Sequence, residues 1–185
     1  VPVIRYDGET VQDSTAILEF LGKRIAGKLS LTPKNEEDRR RCTEIEAWAD
    51  EDLAQVLPTV IYGTWSDSTR AAQITAKNSN FGFVQNMLVR AGGSVVMHQI
   101  AKRIIAKRGG KDPEEMLQGE LDRLESWITD DGFVCGDSPT IGDAAAHGVL
   151  KCIEDFPAFA AVKSRPRIYE WFERMDRLRA ENRAV

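Results

Sequence analysis

The sequence predicts a mainly α-helical fold in which a partial β-β-α segment precedes an all-helical bulk. Three observations carry that prediction. Asp7-Gly8 separates two short runs, Val1 to Tyr6 and Glu9 to Gln12, and an Asp-Gly pair favours the positive-φ turn of a hairpin. From Glu36 onward apolar residues recur at three- and four-residue spacing in long stretches, the period of a helix with one buried face. Helix-start signals then punctuate the chain at Asp112-Pro113-Glu114 and at Thr140-Ile141-Gly142-Asp143.

The elements follow in order. Asp13 or Ser14 caps a helix whose buried face is Ile17, Leu18, Leu21 and Ile25. Two short strands and one helix do not close a domain alone, so this hairpin needs a cover. Residues 26 to 35 form a connection, and Glu36-Glu37-Asp38 suits the positive end of the next helix. That helix carries Cys42, Ile45, Trp48, Ala49, Leu53, Val56 and Leu57, with Arg39 to Arg41 on a solvated face, and Pro58 bends or interrupts it. A second helical region runs from Ser66 to Arg108 with a break near 77 to 82, and Gly92 and Gly93 inside it mark close packing or a kink. Gly109-Gly110 ends it. Leu117, Leu121, Leu124 and Ile128 then form the stripe of the next helix, and Gly132, Gly136 and Pro139 mark a loop around Phe133-Val134-Cys135. Thr140 and Asp143 read as a structural capping box, with the aspartate in the place usually held by glutamate, rather than as a catalytic acid. The helix they start is expected to run to Asp155-Phe156 and close at Pro157; Pro166 opens a last helix with Ile168, Trp171, Phe172 and Met175 as core.

Composition narrows function. With 25 basic and 29 acidic residues the net charge is -4, which gives no global reason for polyanion binding. The Lys102, Arg103, Lys107 and Arg108 cluster complements a helix C-terminus and lacks the interleaved aromatics of a nucleic-acid surface. Cys42, Cys135 and Cys152 are far apart and lack Cys-x-x-Cys spacing, so they read as small buried hydrophobes in a reducing compartment such as the cytoplasm, with membrane association through upstream residues left open. His98 and His147 lie in no metal-ligand spacing. No apolar run reaches the roughly 20 residues of a membrane span. The chain opens on a strand without an initiating methionine, so we expect residues upstream of Val1.

Val-Pro before a strand at Val1-Pro2-Val3, Asp13-Ser14 opening a helix, and Ser138-Pro139-Thr140-Ile141-Gly142-Asp143-Ala144 stand in an order that resembles the glutathione transferase superfamily over nearly the whole chain. Glu46-Ala47-Trp48-Ala49-Asp50, Asn80-Phe81-Gly82-Phe83-Val84, His98 to Arg103 and Asp143 to Leu150 are similar to its membrane-associated prostaglandin E synthase type 2 branch. The resemblance implies that residues 1–27 are the C-terminal part of a thioredoxin-like, glutathione-binding domain and 36–185 the all-helical transferase domain. It implies that Pro2 corresponds to the cis-proline presenting the Val1 backbone to the cysteinyl part of glutathione, while Asp13 and Ser14 hold the γ-glutamyl end. Read from the residues alone, Pro2 is a strand-edge residue and Asp13-Ser14 a cap.

The family's thiol-activating residue, and the Cys-x-x-Cys of the prostaglandin-synthase branch, would lie upstream of Val1, so no catalytic residue is assigned in this chain. The implied activity of the parent protein is a glutathione-dependent transferase, isomerase or thiol oxidoreductase acting on a small hydrophobic electrophile, and the fragment alone is expected to be inactive. Tyr62, Trp65, Phe83, Met87 and His98 are the candidates for its apolar cleft, each with core packing as the alternative. The competing reading is a noncatalytic transferase-like interaction module. Glutathione is the expected co-substrate; haem enters only through the branch resemblance, and neither histidine supplies a haem motif. Pairing of two copies is a further implication of the family.

Overall fold

The protein is described by a computed structural model covering residues 2–13, 16–17, 20–21, 31, 33, 35–64, 68, 70–71 and 94–181. Strands β1 (Val3–Tyr6) and β2 (Glu9–Gln12) form an antiparallel hairpin. Asp7 (φ 49°) and Gly8 (φ 83°) take the consecutive positive-φ positions that match a two-residue turn to strand twist. Ile4 pairs with Val11, and these half-buried residues mark the inner face. Residues 16–17 and 20–21 are helical. Ile17 is buried, and the Tyr6 and Phe20 rings meet edge to face with centroids 6.2 Å apart.

Helix α1 (Glu36–Trp48) begins at Asn35, whose Oδ1 accepts the Asp38 N–H at 2.7 Å. One wide π-type turn (Ala49–Leu53) joins it to α2 (Ala54–Tyr62), which runs through Pro58. Pro58 was expected to bend or end this helix. The distortion lies one turn earlier instead, ending at Leu53 just before Ala54, the residue whose carbonyl a proline ring at 58 would crowd and leave without a donor. Helix α3 (Ser94–Lys107) ends at Gly109 (φ 78°) and Gly110 (φ 72°), where the Gly110 N–H returns to the Ile105 carbonyl at 2.9 Å. The positions of Gly92 and Gly93 lie outside the described residues.

Helix α4 (Pro113–Trp127) starts at Asp112, and α5 (Ile141–Lys151) at Thr140. Helix α5 ends at Lys151, five residues before the expected end at Asp155-Phe156. Residues 152–156 close instead in tight turns with bonds such as Ile153 N–H to Leu150 O and Phe156 N–H to Ile153 O. A 3₁₀ turn (Pro157–Phe159), the short α6 (Ala160–Lys163) and α7 (Pro166–Glu181) complete the described chain.

The core lies where α1, its π turn and α2 meet α4, α5 and α7. Ile45, Leu53, Val56, Leu117, Leu121, Leu124, Leu150, Ile168, Trp171 and Phe172 are among its fully enclosed side chains. Arg41, expected on a solvated face, instead reaches the Trp127 carbonyl at 3.2 Å and ties α1 to the end of α4. Arg165 fastens the start of α7 to α4 through Gln118, Asp122 and Glu125. No described helix is long and apolar enough to cross a membrane.

Candidate functional site

The first candidate site is built by the hairpin. Because β1 and β2 are in register, their open ends bring Pro2 beside Asp13, and the Asp13 N–H donates to the Pro2 carbonyl at 3.1 Å. Asp13 has φ 82°, a left-handed conformation uncommon for a residue with a side chain, at a cost of about 1–3 kcal/mol. From there its carbonyl accepts the Ile17 N–H at 2.9 Å and opens the next helix, while Ala16 N–H makes a longer contact of 3.5 Å to its Oδ1. Pro2 and Asp13 are both exposed. Val1 and Ser14, the other two residues expected here, lie outside the described residues.

Of the five residues expected to line an apolar cleft, the structure describes Tyr62 and His98. Trp65, Phe83 and Met87 lie outside the described residues. His98 is 3% exposed, and its Nδ1 stands 2.8 Å from the Tyr62 carbonyl, which also accepts the Ser68 hydroxyl at 3.1 Å. Since a carbonyl only accepts, the His98 proton on this bond sits on Nδ1. His98 therefore ties α3 to the end of α2 and packs in the interior. Tyr62 is half-buried, and burial pushes its phenol up from the ordinary value.

The Thr140 to Asp143 turn is densely hydrogen-bonded. A capping box joins the two residues. Asp143 is 0% exposed, and its four bonds all come from donors: Thr140 N–H (2.8 Å) and Oγ1 (2.9 Å) to Oδ2, and Val134 N–H (2.9 Å) and Trp171 Nε1 (2.8 Å) to Oδ1. Burial raises its carboxyl above the ordinary value, against the pull of Trp171 first and then of Val134 and Thr140. Every amide of the first turn of α5 has a partner, each from a different source. Ile141 N–H goes to the Leu31 carbonyl (3.0 Å) in the connection, Gly142 N–H to Cys42 Sγ (3.1 Å) on α1, and Asp143 N–H to the cap. Among the described residues no second carboxylate is hydrogen-bonded to Asp143, and its bonds make a structural clamp of the connection, α1, the Val134 loop and α7.

All three cysteines were expected to be small buried hydrophobes, and two of them are buried. Cys42 and Cys135 are buried at 4% and 3%, but Cys152 is exposed, with its Sγ 3.4 Å from the Gly148 carbonyl. Cys42 is lowered to about 6, first by hydrogen bonding from Cys135, then by Thr140 and the Gly142 N–H, against burial and Asp143. Cys135 is correspondingly held protonated, well above the ordinary thiol value. Cys135→Ala should therefore raise Cys42, and a thiolate absorbance titration of the folded protein should lose the ionisation near 6.

His147, one turn after Asp143, packs on the Phe172 ring at 4.7 Å, with Nε2 3.2 Å from Asp176 Oδ1 but out of hydrogen-bonding line. Burial lowers its pKa, opposed by Asp176. A base depressed in the fold stabilises above its unfolded value of about 6.5 and loses that contribution as pH falls, because the unfolded chain protonates first. Urea midpoints should fall on acidification below about 6.5, and His147→Phe should flatten that slope. Among the described residues no group of three or more His, Cys, Asp or Glu is placed to hold a metal.

Comparison with known proteins shows similarity at two levels. Residues 109–178, from the end of α3 through α7, match the family "Glutathione S-transferase, C-terminal domain". The more particular likeness is to prostaglandin E synthase 2. The chain is 25% identical to that of Mus musculus over 134 residues, which is 70% of this chain and 34% of that protein. It is 22% identical to that of Danio rerio over 145 residues, 76% of this chain and 38% of that protein. The chain thus spans little more than a third of these relatives. The crystal structure of the beta-etherase LigF from Sphingobium sp. strain SYK-6 superposes on 94% of this chain and 78% of that one, with TM-score 0.51 and 16% identity, a likeness of fold alone. The superfamily and branch resemblance read from the motifs is borne out, as is the mainly helical fold with its N-terminal hairpin.

Proposed function

We propose that this chain is the part of a glutathione-dependent transferase, isomerase or thiol oxidoreductase that holds the γ-glutamyl end of glutathione and shapes the site for a small hydrophobic electrophile. The observation that carries the reading is the juxtaposition of Pro2 with a left-handed, exposed Asp13 at a helix start. A carboxylate there attracts the glutathione ammonium, and the Ser14 hydroxyl with the first helical amides suits its carboxylate. The strain at Asp13 buys this placement of acid and helix start side by side. Residues 1–27 then complete a thioredoxin-like domain whose upstream part supplies the thiol-activating group, and glutathione is co-substrate. A thiolate formed there attacks the electrophile, and an apolar cleft orients the partner.

Calorimetry with reduced glutathione on the parent protein tests the reading. Saturable binding is expected, weakened about tenfold or more in Asp13→Ala and Ser14→Ala with helical content unchanged, the loss of one charge-assisted bond. No saturable binding up to millimolar glutathione would instead support a noncatalytic interaction module. Binding indifferent to both substitutions would remove Asp13 and Ser14 from the site.

A further inference from the structure

A cavity lies away from the capping-box clamp, between the end of α2, the end of α3, the start of α4 and the turn leading into α6. Its volume is about 460 Å³, within the range of small-molecule sites. Val60, Ile105, Leu117 and Ala161 give it apolar walls, while Asp112 and Glu114 stand on its rim. Both acids are exposed and Leu117, one turn further along α4, is enclosed, so the cavity grades from charged to apolar along that helix.

The charge at the rim is one-sided. No Lys, Arg or His is among the described residues that line the cavity. Helix starts ordinarily attract anions through free amides, but here those amides are spent. Pro113 has no N–H, Glu114 and Glu115 N–H donate to Asp112 Oδ1 at 2.8 and 3.2 Å, and Met116 N–H donates to the Asp112 carbonyl at 3.0 Å. The Glu114 carboxylate makes no hydrogen bond or ion pair among the described residues. An anion would meet two carboxylates and no cationic side chain among the described lining residues. A cation would meet an acid with its bonding capacity unused.

We propose that this cavity is a binding site for small cationic amphiphiles, an apolar body seated against Leu117 and Ile105 with an amine at Glu114. The ligand is opposite in charge to glutathione, so the site is separate from the one proposed above and does not rest on it.

Three probes of equal length test it by calorimetry on the full chain: n-octylamine, n-octanol and n-octanoate. The expected order is octylamine tightest, octanol weaker and octanoate weakest, with about tenfold or more between amine and carboxylate. Glu114→Gln, an exposed change, should shrink the amine's advantage over octanol about threefold or more. Ala161→Phe fills the cavity and should abolish octylamine binding while the thermal midpoint holds. Octanoate binding as tightly as octylamine would overturn the proposal. So would octylamine failing to saturate, or its affinity surviving both substitutions, which would mark surface attraction to an acidic protein.

Discussion

Asp143→Ala is expected to destabilise the protein by at least about 3 kcal/mol, since it strips the acceptor from four donors in a place sealed from water. The loss is not confined to one helix cap, which alone costs about 0.5–2 kcal/mol. Trp171 on α7 and Val134 in the loop would each keep an N–H pointing at a missing oxygen. Asp143→Asn gives a graded control. Its amide oxygen can keep Val134 and Trp171, but its NH₂ faces the Thr140 N–H, so the expected cost is about 1–3 kcal/mol. Trp171→Phe removes a single donor and should cost less than Asp143→Ala. Urea unfolding of the three variants checks the order, and an Asp143→Ala protein within about 0.5 kcal/mol of the parent would refute the clamp. The acid side has a distinct signature. A carboxyl raised in the fold favours the folded state at low pH and loses that contribution as pH rises through its folded value, so Asp143 is not the group whose protonation starts acid unfolding.

The second large effect belongs to the crossing of α1 and α5. At Gly142 an added Cβ would stand 3.3 Å from Ile45 Cβ and Cγ2 and 3.4 Å from Val134 Cγ2. Ile45 is fully enclosed, so Ile45→Ala opens a cavity in the tightest part of that contact and should cost about 2–5 kcal/mol. Gly142→Ala by itself crowds Ile45, which offsets the roughly 1 kcal/mol that alanine gains over glycine inside a helix. In the Ile45→Ala background the Cγ2 contact is gone while the Cβ at position 45 and Val134 Cγ2 remain, so the crowding is reduced and the same substitution should recover part of the loss. A double-mutant cycle by denaturant unfolding gives the coupling, expected to be about 1 kcal/mol or more in favour of the pair. Additivity would mean that Ile45 does not govern the approach at Gly142.

These residues also show what a sequence reveals and what it hides. Thr140 and Asp143 lie three positions apart, so their bond is written in local order and could be read directly. Trp171 lies 28 positions from Asp143 and Val134 nine, and nothing in their own neighbourhoods marks them as its donors. The hairpin was legible because Asp7-Gly8 fixes the turn and the turn fixes the register, which in turn sets Pro2 beside Asp13. The π turn was not, because Ala49 and Leu53 continue the buried stripe and a helical period absorbs one extra residue without breaking its pattern. Helix α5 was read five residues too long because Pro157 was taken as its stop, whereas residues 152–156 fold back in short-range turns before the proline is reached. The cavity at Ile105 and Leu117 needs four elements to meet, and composition offers only Pro157 and the small residues Ala158, Ala160 and Ala161 as its trace. The lowered Cys42 similarly depends on Cys135, a partner 93 positions away by subtraction of their numbers.

The central claim is that glutathione is held at the junction of the hairpin and the helix that Asp13 opens. Amide chemical shifts of the isotopically labelled parent protein, followed as reduced glutathione is added, address it most directly. The account predicts saturable shifts concentrated at Gln12, Asp13, Ser14, Ala16 and Ile17, with the α4 and α6 amides around the cavity at Ile105 and Leu117 unmoved. Shifts absent at millimolar glutathione, or confined to residues outside the hairpin and its following helix, would contradict it.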